Sequence, residues 1–313
     1  MRLKAGTRGS KLALIQTDLV IGMLRNVAPG TSVETNIIKT AGDRDQATPI
    51  NELGGDGAFE KELDAAVLNG DVDFAVHSLK DVPTQLAEDL VIAAVPKRAH
   101  PNDVLVSRTS AWLEELADGA VVGTGSVLRE SELRRSRRGL IINPIRGNID
   151  TRLSKLDSGE YDAIVLAEAA LARMGLQHRI AQVLPIDAFV PAAGQGAMAV
   201  VCRADNAELL RELGKLDDRQ SRVEVSAERT VMSLLGGDCR APIGVIGRTS
   251  LGTLSLSCVV FSTTGAAILR SVSGGSDAYE ELARSLSRAM ISDGAVLFVR
   301  EWQQAKGQPQ MVQ

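Results

Sequence analysis

The most reactive side chains of this 313-residue sequence stand where apolar runs stop. Lys80 and Asp81 follow the run "VDFAVHSL". A carboxylate beside a lysine at a strand end can stay ionised and steady a cation developing in a substrate, or pass a proton if its pKa rises. The plainer reading is a surface ion pair worth about 0–1 kcal/mol. "GTRGS" sets Arg8 and Ser10 at a helix start, "GTGSVLR" does the same for Arg129, and "IRGN" adds Arg146. Free backbone N–H groups at helix starts favour an anion, and guanidinium forks grip carboxylates or phosphates at two points. Cys239, in "LLGGDCRAPIG", has reach but no neighbouring histidine. A buried structural thiol, a hydrolytic nucleophile and a covalent tether all remain open for it, and only the last needs no base.

Composition narrows the chemistry. Of 35 basic residues only nine are lysine, and seven arginines fall between Arg129 and Arg152, so a charge-dense anion is a candidate ligand. For Arg134, Arg135, Arg137 and Arg138 a solvated helix face is the simpler account. A net charge of −4 and nine aromatic residues argue against a nucleic-acid binder. No apolar stretch approaches the roughly 20 residues of a membrane span, and "MRLKAGTRGS" lacks a signal peptide's apolar run, which together predict a soluble cytoplasmic protein. Three cysteines without a close pair suggest neither a disulfide framework nor a metal site; Cys202 and Cys258, inside apolar strands, read as structural. His77 reads as an orienting or core residue, and no Walker loop, GxSxG or HExxH is present.

These residues need a scaffold of strands ending at one edge. β-branched runs alternate with helical patterns through the first two thirds, which predicts βα units and mostly parallel sheets. The helix "SKLALIQTDLVIGMLRNV" is predicted to turn Leu12, Ile15, Leu19 and Met23 inward, and "AFEKELDAAVLNG" to bury Phe59, Leu63, Ala66 and Val67. "TAGDRDQATPINELGGDG" is too long for a tight connection and reads as a loop over a site. The pattern restarts near Pro96–Pro101, and "AMAVVCR", after the break "VPAAGQG", is expected to return to the first sheet. The expected division is 1–97 with 197–215, then 98–196, then 216–313. The third part begins with the helix "RQSRVEVSAERTVMSLLGG", followed by three strand-like runs and a final helix "AYEELARSLSRAMIS".

Five segments, "GTRGSKLAL", "GDVDFAVHSLKDVPT", "PIRGNIDTRLSKLDSGEYDAIVLA", "PAAGQGAMAV" and "LLGGDCRAPIG", together resemble the porphobilinogen deaminase (hydroxymethylbilane synthase) family, in order and in spacing over nearly the whole chain. The resemblance implies an α/β fold of two doubly wound domains like type II periplasmic binding proteins, plus a small C-terminal α+β domain with an antiparallel sheet. It implies a dipyrromethane cofactor held through a thioether on Cys239. Four porphobilinogen units would be added by deamination and condensation, and water would release hydroxymethylbilane. By motif match, Lys80, Thr124, Ser126, Arg129 and Arg146 would hold the cofactor. Arg8, Ser10, Arg152 and Arg173 would grip substrate carboxylates, with Phe59 as a lid contact, and Asp81 would face the pyrrole nitrogens as the catalytic carboxylate. The family further implies a monomer whose product passes to uroporphyrinogen-III synthase.

Four positions depart from the family pattern. Leu128 stands where many members have a second arginine, Glu52 and Asp56 where lysines are common, and Asp238 where glycine is common. A non-catalytic anion-binding protein on the same bilobal fold is the competing expectation.

Overall fold

The structure, a computed structural model, describes residues 1–44, 60–237 and 241–305. The chain opens with β1 (Arg2–Thr7), α1 (Lys11–Val27), β2 (Ser32–Ile37), a single turn α2 (Ala41–Arg44), α3 (Lys61–Leu68), β3 (Phe74–Ser78) and β4 (Leu90–Ala94). It continues with β5 (Asp103–Ser107), β6 (Val121–Gly123), α4 (Val127–Ser136), β7 (Ile141–Asn143), α5 (Ile149–Asp157), β8 (Ala163–Ala167), α6 (Glu168–Arg173) and β9 (Gln182–Val183). β10 (Met198–Arg203), α7 (Ala207–Gly214), α8 (Arg219–Leu234), β11 (Ile243–Ser250), β12 (Thr253–Phe261), β13 (Ala267–Gly275), α9 (Tyr279–Ser292) and α10 (Ala295–Ala305) complete it.

Two five-stranded sheets share one plan, with strand orders β2-β1-β3-β10-β4 and β7-β6-β8-β5-β9. The first three strands of each run parallel, and the fourth is antiparallel to both neighbours. That fourth strand is the one arriving from the other sheet: β5 follows β4, and β10 follows β9. β10 thus returns to the first sheet, and the mostly parallel pattern is broken once in each sheet by a crossing strand. Both faces of each sheet are covered. Leu209 and Leu213 of α7 and Val20 and Leu24 of α1 cover one face of the first sheet; Leu63 and Val67 of α3 and Val225 of α8 cover the other. Burial on both faces explains why β3, β8 and β10 read as unbroken apolar runs.

The third unit is an antiparallel meander, β11-β12-β13. One face packs Leu254, Leu256 and Cys258 on Val231 and Met232 of α8, Leu286 of α9 and Val299 of α10. The other presents Ile246, Val259 and Phe261 to Leu128 of α4 and to Val190. Two doubly wound α/β units and a small antiparallel α+β unit are the fold class expected from the sequence.

Two expectations are corrected. α1 buries Ala13, Gln16, Thr17, Val20, Ile21 and Leu24, whereas Leu19 is exposed and Leu12, Ile15 and Met23 are half-buried. Two apolar stripes lie side by side on this helix, and polar satisfaction selects between them. The Thr17 hydroxyl donates to the Ala13 carbonyl, and Gln16 Nε2 donates to Ser78 Oγ at 3.0 Å. Second, α9 is not the last helix: Asp293 and Gly294 end it, and α10 follows, turning Ala295 and Val299 into the core. Gly294, at φ +93°, makes the corner. In α3, Leu63, Ala66 and Val67 are buried as expected; Phe59 and most of the long loop lie outside the described residues.

The three units meet at Glu228 of α8, whose side chain is fully buried. Its Oε1 accepts from Arg98 Nη1 at 2.6 Å and from the Gly247 N–H at 2.8 Å. Its Oε2 accepts from Arg98 Nη2 at 3.2 Å and from the Gly194 N–H at 2.6 Å. Arg98 lies on the outgoing crossover, Gly194 on the returning one and Gly247 in the third sheet. Glu228→Ala would leave the Arg98 guanidinium only the longer carboxylate contact to Glu224, at 3.7 Å, and strand the Gly194 and Gly247 N–H groups, and we expect a loss of about 3–5 kcal/mol in urea unfolding. At the β11–β12 turn, Leu251 is fully exposed at φ +49° before Gly252 at φ +77°. Leu251→Asn, suited to that turn, is expected to add about 1 kcal/mol in the same measurement.

Candidate functional site

The strand ends of the two α/β units face a common cleft of about 250 Å³. Arg8 and Ser10 enter it from the turn between β1 and α1, and Ser10 also caps α1, accepting from the Ala13 N–H at 3.3 Å. A 3₁₀ turn over Leu79–Asp81, directly after β3, delivers Lys80 and Asp81. From the other side come Arg129 on the first turn of α4, Arg146 after β7 and Arg152 on α5. Seven of the residues singled out in the sequence therefore share one cavity. Among the described lining residues, six cations (with Lys11) confront two carboxylates, Asp81 and Asp150.

The cations crowd one another. Burial pushes Arg152 down to about 10, helped by the neighbouring charges of Arg129 and Arg146 and opposed by Asp81. Burial also holds Lys80 below the usual lysine range, with Arg129 adding to it and Asp81 and Asp103 opposing. Arg146 carries a buried Nη1 that has no hydrogen-bond partner among the described residues. Buried cations that repel one another, one of them with an orphan donor, are what a polyanion relieves: each carboxylate supplies paired acceptors and a countercharge. The residues present therefore fit a ligand that bears several carboxylates.

Some of these cations are already tied. Arg129 is buried; its Nη2 contacts Asp103 Oδ1 at 2.6 Å and Gln195 Oε1 at 3.2 Å, and its Nη1 donates to the Val165 carbonyl at 3.1 Å. Arg152 Nε donates to the Gly147 carbonyl at 2.8 Å. Three of the residues sought are not part of the cleft lining. Thr124 is buried, with Oγ1 accepting from the Ser126 N–H at 3.1 Å, and Ser126 caps α4. Arg173, pushed down to about 10 by burial, donates from Nη2 to the Gly196 carbonyl at 2.7 Å. Phe59, Cys239, Glu52, Asp56 and Asp238 lie outside the described residues. Leu128 is buried in the apolar seam with Ile246, Val259 and Phe261, so the helix uses this position for packing. Arg134 pairs with Glu130 and Arg138 is exposed, which suits a solvated face, whereas Arg135 donates to the Ala188 carbonyl over the Phe261 ring and Arg137 donates to the Leu113 carbonyl and pairs with Asp118.

A second cavity, of about 300 Å³, lies on the other side of Lys80 and Asp81, which line both. Pro83, Thr84, Arg229, Ser233, Gly236 and Gly237 help to form it. Arg229 of α8 fixes the segment after Asp81, donating to the carbonyls of Val82 (2.9 Å), Pro83 (2.6 Å) and Thr84 (3.3 Å). Reading the sequence missed Arg229, Arg98, Asp103, Glu228 and Gln195. Gln195 lay inside a Pro/Gly break, where a polar residue between two glycines was the available signal. His77 is buried 4.0 Å from Asp64 and pushed down to about 4 by burial and by Arg8, so it is neutral and sits outside the cleft lining.

The family model described as "Porphobilinogen deaminase, dipyromethane cofactor binding domain" matches residues 3–211, and "Porphobilinogen deaminase, C-terminal domain" matches residues 222–292. The porphobilinogen deaminase of Desulforudis audaxviator is 45% identical over 291 residues, covering 93% of this chain and 94% of that protein. That of Brevibacillus brevis is 42% identical over 293 residues, with 93% and 94% covered. A probable porphobilinogen deaminase of Methanothermobacter thermautotrophicus is 48% identical over 261 residues, with 83% and 89% covered.

The unpartnered Arg146 donor yields a prediction. Arg146→Leu removes a buried unsatisfied N–H and one source of repulsion on Arg152. The variant should unfold at higher urea, by about 1 kcal/mol, while citrate gives it a smaller thermal-shift stabilisation than it gives the wild type.

Proposed function

This chain belongs to the porphobilinogen deaminase family, and on that footing we propose that it is a transferase that joins four porphobilinogen units head to tail and releases hydroxymethylbilane. The observation that carries the reading is the crowding of cations in the cleft around the Asp81 carboxylate. Each pyrrole of such a chain bears an acetate and a propionate, so a growing product accumulates the anionic groups this cleft lacks. Lys80, Arg129 and Arg146, with Thr124 and Ser126 shaping the turn before α4, would hold the carboxylates of the dipyrromethane cofactor. Arg8, Ser10 and Arg152 would hold those of the incoming substrate, with Arg173 and Phe59 bordering them.

When bound through Cys239, the dipyrromethane supplies the primer and its nucleophilic ring carbon. The protein's own residues position and stabilise. As ammonia leaves the aminomethyl carbon of porphobilinogen, positive charge spreads to the pyrrole nitrogen, and a fixed Asp81 carboxylate lowers the cost of that charge in a cleft. Forked contacts to the acetate and propionate hold the two reacting carbons together.

Two observations support Cys239 as the tether. Gly236 and Gly237, just before it in sequence, line the cavity that also contains Asp81. The other two thiols are fully buried, and burial pushes Cys202 up to about 11 and Cys258 higher still, so both are poor nucleophiles. Residues 1–97 with 197–215, 98–196 and 216–313 would act as first, second and cofactor-bearing domains. No helix among the described residues is long and apolar enough to cross a membrane. We place the enzyme in the cytoplasm as a monomer that passes its product to uroporphyrinogen-III synthase. A non-catalytic anion binder is not favoured by the family match over both parts of the chain.

Intact-mass measurement and turnover test this reading. The purified protein should carry an addition of roughly 420 Da, absent in Cys239→Ala, and should consume porphobilinogen. Asp81→Asn should keep its fold and lose activity by about 10²–10³-fold. Full activity in Asp81→Asn, or the mass addition mapped to Cys202 or Cys258, would overturn the assignment.

A further inference from the structure

Gln195 holds a set of contacts that none of the roles above uses. It is buried in Gly194–Gln195–Gly196, on the crossover that returns from the second sheet to the first. Its backbone is fixed from two sides: the Gln195 carbonyl accepts from Arg98 Nε at 2.8 Å, and the Gly194 N–H donates to Glu228. Gly196, at φ +87°, lets the two crossovers touch, because a Cβ there would lie 2.6 Å from the Ala99 carbonyl oxygen. The side chain is thereby held between the two α/β units.

The amide has one possible orientation. Pro101 O and Asp103 Oδ1 accept only, so Nε2 faces them, at 2.8 Å from each. Lys80 Nζ and Arg129 Nη2 donate only, so Oε1 faces them, at 3.1 and 3.2 Å. No other common side chain satisfies this set: a glutamate cannot donate to Pro101 and Asp103, and an asparagine is one methylene shorter. Lys80 comes from the first unit and Arg129 from the second, and both line the cleft.

We propose that Gln195 is a positioning and specificity residue that clamps Lys80 and Arg129 side by side for the carboxylates of the pyrrole ligand without cancelling their charge. A carboxylate here would grip the same two cations more strongly, yet it would add a second anion beside Asp103 and consume the positive field that the ligand must find. Neutrality is therefore the functional property of this residue, and its place on the crossover keeps the clamp aligned to both units. The proposal rests on the reading of the cleft as a porphobilinogen site.

Gln195→Glu and Gln195→Leu separate charge from structure. The readouts are steady-state kinetics with porphobilinogen and the pH dependence of Lys80 labelling by an amine-reactive reagent, followed by peptide mass. In Gln195→Glu the added negative charge should keep Lys80 protonated to higher pH, moving its labelling midpoint upward, and should raise KM about tenfold with kcat within about threefold. In Gln195→Leu the lost acceptor should move the Lys80 midpoint downward, again with a raised KM. A merely structural role would lower stability and kcat in both variants and leave their Lys80 midpoints alike. An unchanged midpoint, or a KM within twofold of wild type in Gln195→Glu, overturns the proposal. If the wild type turned over no porphobilinogen, the functional reading would fall, and the opposed Lys80 shifts would still decide whether Gln195 governs the charge of the clamp.

Discussion

Like charges held close repel, and this protein holds Arg129, Arg146, Arg152 and Lys80 around one cleft. No surface of freely rotating side chains would keep that arrangement, since each cation would swing toward water. Here three of the four are restrained from behind, Arg129 by Asp103 and Val165, Arg152 by Gly147, and Lys80 by Gln195. Much of the polar framework keeps these repelling groups in place. Stability is given up locally for readiness, as in other preorganised sites.

The restraint is possible because the units are cross-bound instead of merely strung together. α8 is the common member: Val225 packs in the core of the first sheet, Val231 and Met232 pack in that of the third, and Glu228 reaches both crossovers. Arg229, next along the helix, fixes the chain that follows Asp81. One helix thus sets the distance between the Asp81 carboxylate and the glycines Gly236 and Gly237. The fold positions its chemistry through this single rigid element more than through either sheet.

How much of this was legible beforehand depended on the kind of signal. The apolar runs Phe74–Val76 of β3, Ala163–Ala167 of β8 and Met198–Cys202 of β10 announced themselves, and strand ends followed by Arg, Lys or Asp pointed to the cleft lining. The inward stripe of α1 was misread because two apolar stripes adjoin and hydrogen bonds from Gln16 and Thr17 decide between them. α10 was missed because Asp293–Gly294 has the signature of a stop. Gln195, Asp103 and Glu228 left no periodic trace, since their roles come from partners tens of residues away that only the tertiary fold assembles. Thr124 and Ser126 read as ligand contacts in the sequence, and their side-chain hydrogen bonds are local to their own turn.

Leu128 and Arg129 are consecutive on α4, yet one faces the seam against the third sheet and the other faces the cleft. The seam is apolar and non-directional, made of Leu128, Val190, Ile246, Val259 and Phe261. Contacts of that kind permit small sliding movements at little cost, whereas the hydrogen-bonded crossovers do not. The second unit is thus held by polar joints at one border and packs on an apolar seam at the other. Any rocking that makes room for a lengthening product would therefore be directed along that seam, carrying Arg129 with it.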